Sequence, residues 1–239
     1  MSSPFLTAAW RRLALFNFRI APEILNPFVP AHTELDLWNN TCYVSLVGFM
    51  FLNTRVRGIK IPFHVNFEEV NLRLYVRRHD PEPGLKRGVV FIREIVSKPA
   101  IVWTANTLYR ERYVARRMWR RWGGQPGRPE VEYAWREAGH WQAFGVQAGS
   151  PPQDLKPGSE AEFITERYWG YASWDARRTM EYQVEHVPWQ LYPVQSWHCD
   201  VDFGAVYGPQ FAVLNGAEPL SIFLAEGSDI VVRKGRLIG

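Results

Sequence analysis

The amino-acid sequence predicts a mainly β protein with minor helices, and three observations carry that prediction. Seventeen prolines, eighteen glycines and 15% aromatic residues among 239 positions suit many short strands and tight turns better than a helix bundle. Stretches in which apolar residues alternate with polar ones recur along the chain, which is the period of a strand. No apolar run approaches the roughly 20 residues of a membrane-spanning helix, and 22% charged with 46% hydrophobic residues is the balance of an ordinary globule.

Residues 8–18 mix aromatic and apolar character and lead into IAPEILNPFVP, where Pro22, Pro27 and Pro30 forbid a long regular element. A helical turn over 22–25, with proline at its first position, is expected there. Residues 34–38 and 41–52 read as a hairpin around Asn39 and Asn40, which tolerate the positive φ of such turns. Its second strand, CYVSLVGFMF, is apolar on both faces and therefore central. Residues 55–62 form a polar loop, and 80–84 a turn. Residues 88–96 and 100–109 read as strands joined at Lys98 and Pro99. Residues 110–122 break that pattern and read as helix, since Tyr113, Arg117 and Arg121 share one spacing and Val114 and Met118 another. The glycine- and proline-rich stretch 123–129 is the best candidate for a boundary, yet the chain reads as a single domain over residues 1–239. Residues 130–136 and 140–147 form a hairpin, and 149–158 a connector. Alternating strands follow over 179–186 and 190–201, and the C-terminal stretch reads as an apolar segment, a turn at 226–228 and a last strand.

The segment around which the rest is organised is HVNFEEVNLRLYV, from His64 to Val76. Val70, Leu72, Leu74 and Val76 share one face, and Glu69, Asn71, Arg73 and Tyr75 the other. Val65 and Phe67 fall out of that phase, so a bulge is expected at Glu68 and Glu69. Glu69 and Arg73 are separated by about 13 Å at the strand rise, a gap with room for a small molecule above Asn71. A solvated outer face shows the same alternation. The crowding of Asn66, Glu68, Glu69, Asn71 and Arg73 between apolar strands favours an interior site.

The net charge of +4 raises nucleic acid as a partner. The basic residues are scattered, except in RERYVARRMWRRW. Glu111 interrupts that run, and an amphipathic segment packing Tyr113, Val114 and Met118 inward accounts for it, so no nucleic-acid partner is expected. An anionic small molecule is the better use of guanidinium groups, which hold carboxylates bidentately. Cys42 and Cys199 form neither a CxxC pair nor a secretory framework. His198, Cys199 and Asp200 have the chemistry of metal ligands, but neighbours on a strand point to opposite faces, so no metal is expected. His186 reads as a core histidine. His64 is a candidate proton carrier. No nucleophile elbow, phosphate loop, dinucleotide fingerprint or zinc-protease helix occurs, and no cofactor is implied. With no secretory leader pattern or membrane span, a cytoplasmic location is expected.

Several stretches, PEILNPFVP, TELDLW, YVSLVGF, NFEEVNLRLYV, KRGVVF, YRERYVARRM and FITERYWGY, together resemble the YqjF-like, or DUF2071, family. That family is in turn similar to acetoacetate decarboxylase. The resemblance implies an antiparallel, two-layer or cone-like β barrel around a central cavity. In the decarboxylases a lysine of a Pro-Lys-Lys stretch forms a Schiff base with a β-keto acid, and a Tyr-x-Glu strand supplies a carboxylate nearby. Phe67, Glu68 and Glu69 match that strand, which makes Glu69 the residue carried over. The dibasic pair falls on Arg116 and Arg117, after Ala115 in place of proline. Arginine stays charged and forms no imine, and none of Lys60, Lys86, Lys98, Lys156 and Lys234 matches the position.

Two function classes remain open. One is an enzyme acting on a small carboxylate or keto acid, with Glu69 and His64 as acid and base and Asn71, Arg73, Tyr75 and Arg116 holding the substrate. The other is a protein that binds an anionic or aromatic small molecule without turnover. The oligomeric state is open, a homo-oligomer included.

Overall fold

The computed structural model describes residues 4–80 and 84–239. A long first strand, β1 (Pro4–Arg19), is followed by α1 (Pro22–Leu25), with proline opening the helix, and a 3-10 turn over Asn26–Phe28. The short β2 (Glu34–Leu35) precedes a tight turn in which Asn39 and Asn40 adopt φ of 46° and 61°. Next come β3 (Tyr43–Val56), β4 (Phe67–His79) and β5 (Leu85–Val96), then α2 (Pro99–Tyr109) and β6 (Tyr113–Ala115). The strands β7 (Met118–Gln125), β8 (Arg128–Glu137) and β9 (His140–Ala148) form a meander. After α3 (Glu160–Thr165) the chain runs through β10 (Trp169–Ser173), β11 (Thr179–Glu185), β12 (Leu191–Tyr192) and β13 (Val194–Asp200). The helix α4 (Phe203–Tyr207) and a 3-10 turn over Pro209–Leu214 lead to β14 (Ser221–Arg233) and β15 (Arg236–Ile238).

These strands make two sheets. The larger is curled, with the order β14, β1, β3, β4, β5, β10, β11, and β11 pairs again with β14, so the strands form a ring. Within that ring the β5–β10 pair is parallel and the others antiparallel. The smaller sheet has the order β13, β9, β8, β7. It packs on the outside of the ring, where Val70, Leu72 and Leu74 of β4 share a core with Tyr133, Trp135 and Phe144. The layers touch closely at Gly48 of β3, where an added Cβ would lie 2.6 Å from the Tyr133 ring and 2.7 Å from Phe144. A second core fills the ring itself, with Leu13, Val47, Phe49, Phe51, Phe67 and Trp189 among its members. Burial on both faces explains why the central strands read as nearly unbroken apolar runs.

Several expectations are corrected. The helix and strand expected over 100–122 exchange places. Proline stands at the start of α2, and Arg110, at φ 56°, ends it in the left-handed conformation. Beyond it the chain is extended, crossing from the ring at β6 to the outer sheet at β7, so the spacing of Tyr113, Arg117 and Arg121 runs from one strand through the crossing to a strand of the other sheet. No bulge occurs at Glu68 and Glu69, where β3 and β4 stay in register from Phe51–Phe67 to Val44–Leu74. The irregularity lies on the other side of β4, where Leu72 faces Arg93 but Arg73 faces Phe91. Phe67 therefore belongs to the same face as Glu69. The stretch 123–129 is the tip of the β7–β8 hairpin, with its turn at Pro126 and Gly127, rather than a boundary. Residues 226–228 make no turn, because Gly227 at φ 82° lets β14 continue beside β1. Trp38 and Thr41 form only an isolated bridge, and β2 pairs with β4 instead of β3. Residues 81–83 of the turn expected at 80–84 lie outside the described residues.

Candidate functional site

Strand alternation aims one face of β4 into the ring, and Phe67, Glu69, Asn71 and Arg73 there line a cavity of about 230 Å³. Aromatic and aliphatic side chains form most of its wall, Trp10, Phe49, Phe51, Phe91, Val184 and Trp189 among them. Phe51 stacks on Phe67 with ring centroids 4.6 Å apart, which makes the start of the β4 row apolar. Six residues further on, Arg73 gives it a cationic end.

Three carboxylates meet in the wall: Glu69 of β4, Glu94 of β5, and Glu111 from the link between α2 and β6. Glu69 is 2% exposed and accepts hydrogen bonds from Asn71 Nδ2 at 2.9 Å and the Tyr113 hydroxyl at 2.9 Å. Glu111 is half-buried, with its carboxyl turned inward to accept from the Tyr182 hydroxyl at 2.8 Å. Two local devices place these phenols. The Asn106 side chain bonds both backbone groups of Tyr113, at 3.0 and 2.8 Å, and so ties β6 to α2. Gly170, opposite Tyr182 on β10, leaves the space its ring occupies, and a Cβ there would overlap the ring.

Burial dominates the electrostatics of this cluster. It pushes Glu69 up to about 7, against the opposing hydrogen bonds from Asn71 and Tyr113. Glu111 is also raised to about 7, chiefly by burial and partly relieved by Tyr182. Glu94 is raised well above the ordinary carboxylate range, by burial and then by the charges of Glu111 and Glu69. Glu94 and Glu111 titrate as a pair, both raised, so together they retain a proton that isolated carboxyls would release. Burial and the neighbouring carboxylates keep Tyr113 and Tyr182 neutral, as donors.

The cationic end is built differently. Arg73 donates to the Ile164 carbonyl at 3.2 Å, and Arg167 donates to the Phe163 carbonyl at 2.6 Å and to Asp36 at 2.5 Å, so both hang from α3. Burial lowers the pKa of Arg167, and Asp36 offsets it. Several buried polar atoms of lining residues have no hydrogen-bond partner. Arg73 Nε and Arg167 Nη2 are donors of this kind, Asn71 Oδ1 and Glu94 Oε2 acceptors.

Of the residues predicted from sequence, Glu69, Asn71, Arg73 and His64 line the cavity. His64 stands in the loop before β4, with Nδ1 2.8 Å from the Pro62 carbonyl oxygen. Tyr75 is not part of the wall. It lies behind it, its hydroxyl 2.6 Å from Ser45 Oγ and its ring beneath the guanidinium groups of Arg73 and Arg167. Arg116 is outside the cavity, in a two-pronged pair with Glu137 at 2.7 and 2.9 Å, because the chain leaves the ring there for the outer sheet. Sequence reasoning missed Glu94, Glu111, Tyr113, Tyr182 and Arg167 as site residues. The signal available for Glu94 was a carboxylate inside the apolar strand GVVFIREIV.

A curled sheet whose interior holds carboxylates and arginines, backed by a smaller sheet, places the protein in the acetoacetate decarboxylase-like class of folds. The solved acetoacetate decarboxylase of Legionella pneumophila superposes with a TM-score of 0.66 at 9% identity, covering 100% of this chain and 88% of that one. An acetoacetate decarboxylase-like enzyme of Sphingomonas wittichii RW1 gives 0.64 at 11% identity over 99% and 94%. The enduracididine biosynthesis enzyme MppR, complexed with pyruvate, gives 0.64 at 13% identity over 100% and 92%. At the level of sequence, residues 7–229 match the model of DUF2071, described as an uncharacterized conserved protein, and the chain belongs to that family. YqjF of Bacillus subtilis (strain 168) is 25% identical over 227 residues, covering 93% of this chain and 88% of that protein.

Proposed function

We propose that the protein is an enzyme acting on a small carboxylate or keto acid by proton transfer, without a covalent imine. The observation that carries this reading is the pairing, on one strand face, of a carboxylate near neutral pKa with a guanidinium four residues away. Arg73 and Arg167 hold the substrate carboxylate through their free N–H groups. Glu69 takes a proton from the carbon next to the carbonyl and returns it there, and the Tyr113 hydroxyl, released from Glu69 once that carboxyl is protonated, donates to the enolate oxygen. A pKa near 7 suits a group that must both take and return a proton. His64, at the cavity wall, is placed to pass that proton outward. The capture of pyruvate by MppR, which shares the fold, supports a keto acid as the substrate class.

Among the described residues no lysine lines the cavity, which argues against Schiff-base decarboxylation. Borohydride reduction in the presence of acetoacetate or pyruvate is expected to leave every lysine unmodified by mass spectrometry. A labelled lysine would overturn that part of the reading. For the proton-transfer part, deuterium exchange at carbon in D2O is measured for a panel of short keto acids. Exchange by the wild type and a loss of at least a hundredfold in Glu69→Gln support the proposal. Binding of carboxylates with no exchange leaves the second reading, a binding protein without turnover, which the lack of a lining lysine, cysteine or serine among the described residues favours.

A further inference from the structure

We propose that the molecule bound here carries, besides its carboxylate, a positively charged nitrogen, ammonium or guanidinium, which seats against Asn71, Glu94 and Glu111. The inference rests on the carboxylate-at-arginine reading and adds the opposite end of the ligand. Its ground is the sign of the unpartnered polar atoms at the two ends of the Glu69–Arg73 row, apart from Trp10 Nε1 and Thr54 Oγ1 elsewhere in the wall. Toward α3 they are N–H donors, Arg73 Nε and Arg167 Nη2, on side chains 7% and 6% exposed. Beside the carboxylate cluster they are acceptors, Asn71 Oδ1 and Glu94 Oε2, on residues 1% and 2% exposed.

A keto acid alone offers acceptors, so it satisfies the first set and leaves the second bare. Buried acceptors without a donor are costly, and three carboxylates converge on them. The lining lysines and arginines do not answer that need. No described lysine lines the wall, and the two lining arginines are engaged at α3. Arg112, next in sequence to Glu111, lies with its guanidinium over the Phe28 ring, in the core outside the ring, so its charge favours ionised Glu111 only as the smallest influence there and does not act on Glu94. A ligand cation supplies the missing donors and balances carboxylates that burial otherwise holds protonated. The phenol rings of Tyr113 and Tyr182 and the ring of Phe91 line the same cavity, which suits a cation over aromatic faces. The ligand class is therefore a short, flexible amino or guanidino acid with its charges at opposite ends and an apolar spacer.

The test compares matched probes of one chain length, 6-aminohexanoate, hexanoate and hexylamine, by calorimetry at one pH. The wild type is expected to bind 6-aminohexanoate at least tenfold more tightly than hexanoate, as charge-assisted hydrogen bonds to buried partners require. In Glu94→Gln that ratio should fall to within about threefold while hexanoate affinity stays unchanged. Asn71→Leu, which removes the other free acceptor, repeats the test if the first variant does not fold. Equal binding of 6-aminohexanoate and hexanoate overturns this inference and leaves the carboxylate reading standing. Binding of the two amines without hexanoate overturns the carboxylate reading and, with it, the inference of a ligand charged at both ends. Failure of all three probes to bind overturns the inference.

Discussion

Glu69 is buried with neutral donors, Asn71 and Tyr113, and no guanidinium figures among the causes of its shift. This has a consequence for stability. The unfolded carboxyl titrates near 4.5 and the folded one near 7, so between these values the folded state holds a proton that the unfolded chain has released. Stability is then full below about pH 4.5 and falls as pH rises to about 7, by up to about 1.4 kcal/mol per pH unit for each such group. The carboxylates held below their ordinary range by hydrogen bonds, Asp175, Asp202 and Glu185, have finished titrating below this window. Thermal melts from pH 5 to 7.5 are expected to show a falling melting temperature in the wild type and a shallower fall in Glu69→Gln. A flat profile in the wild type would contradict a buried, proton-holding cluster. Arg116 supplies the contrast, since its pair with Glu137 is part exposed, at 30% and 12% of the two side chains. Arg116→Ala should cost about 1 kcal/mol or less and leave ligand affinity unchanged, whereas Arg73→Ala should weaken a bound carboxylate at least tenfold.

At the scale of elements, two glycines decide where rings go. A Cβ at Gly48 meets two buried aromatic rings of the outer sheet, so Gly48→Ala should destabilise by about 1 to 3 kcal/mol through overpacking, read as a lower denaturation midpoint. Gly170→Ala displaces the Tyr182 ring inside the cavity, so its main effect should be on ligand affinity, through loss of the Tyr182–Glu111 hydrogen bond. The organising strand was legible because from Val70 to Arg73 β4 separates its two faces: Val70 and Leu72 meet the outer sheet, Asn71 and Arg73 the interior. The helix α2 was not legible. Its residues Ala100 to Thr104 are β-branched and aromatic enough to alternate, and only Pro99 marks its start. Glu111 and Tyr113 stayed hidden for a related reason: the local run of arginines hides a crossing between sheets. Their roles are set by Asn106 and by strands distant in sequence. Arg167 was hidden likewise, because its partner Asp36 lies 131 positions away.

At the scale of the molecule, the ring closes where Val184 and Glu185 of β11 meet Val232 and Val231 of β14, and an ion pair of Arg233 with Glu185 at 2.7 Å stands beside that seam. Hydrogen exchange is expected to find the amides of this short seam less protected than those of the long β1–β3 and β4–β5 pairings. Equal protection in all three would count against the ring opening there. The strand β14 also lies along β1, so that Arg11 reaches Asp229 across 218 positions of sequence. During synthesis β1 emerges long before β14, and its pairing with that strand waits until nearly all the other strands are made. Until β14 arrives, β1 and β11 present bare edges, the apolar interior faces water, and the pocket has no far wall. The protein thus closes its interior cavity in one late step, and a chain ended before Ser221 should aggregate rather than persist as a smaller, open version of the same molecule.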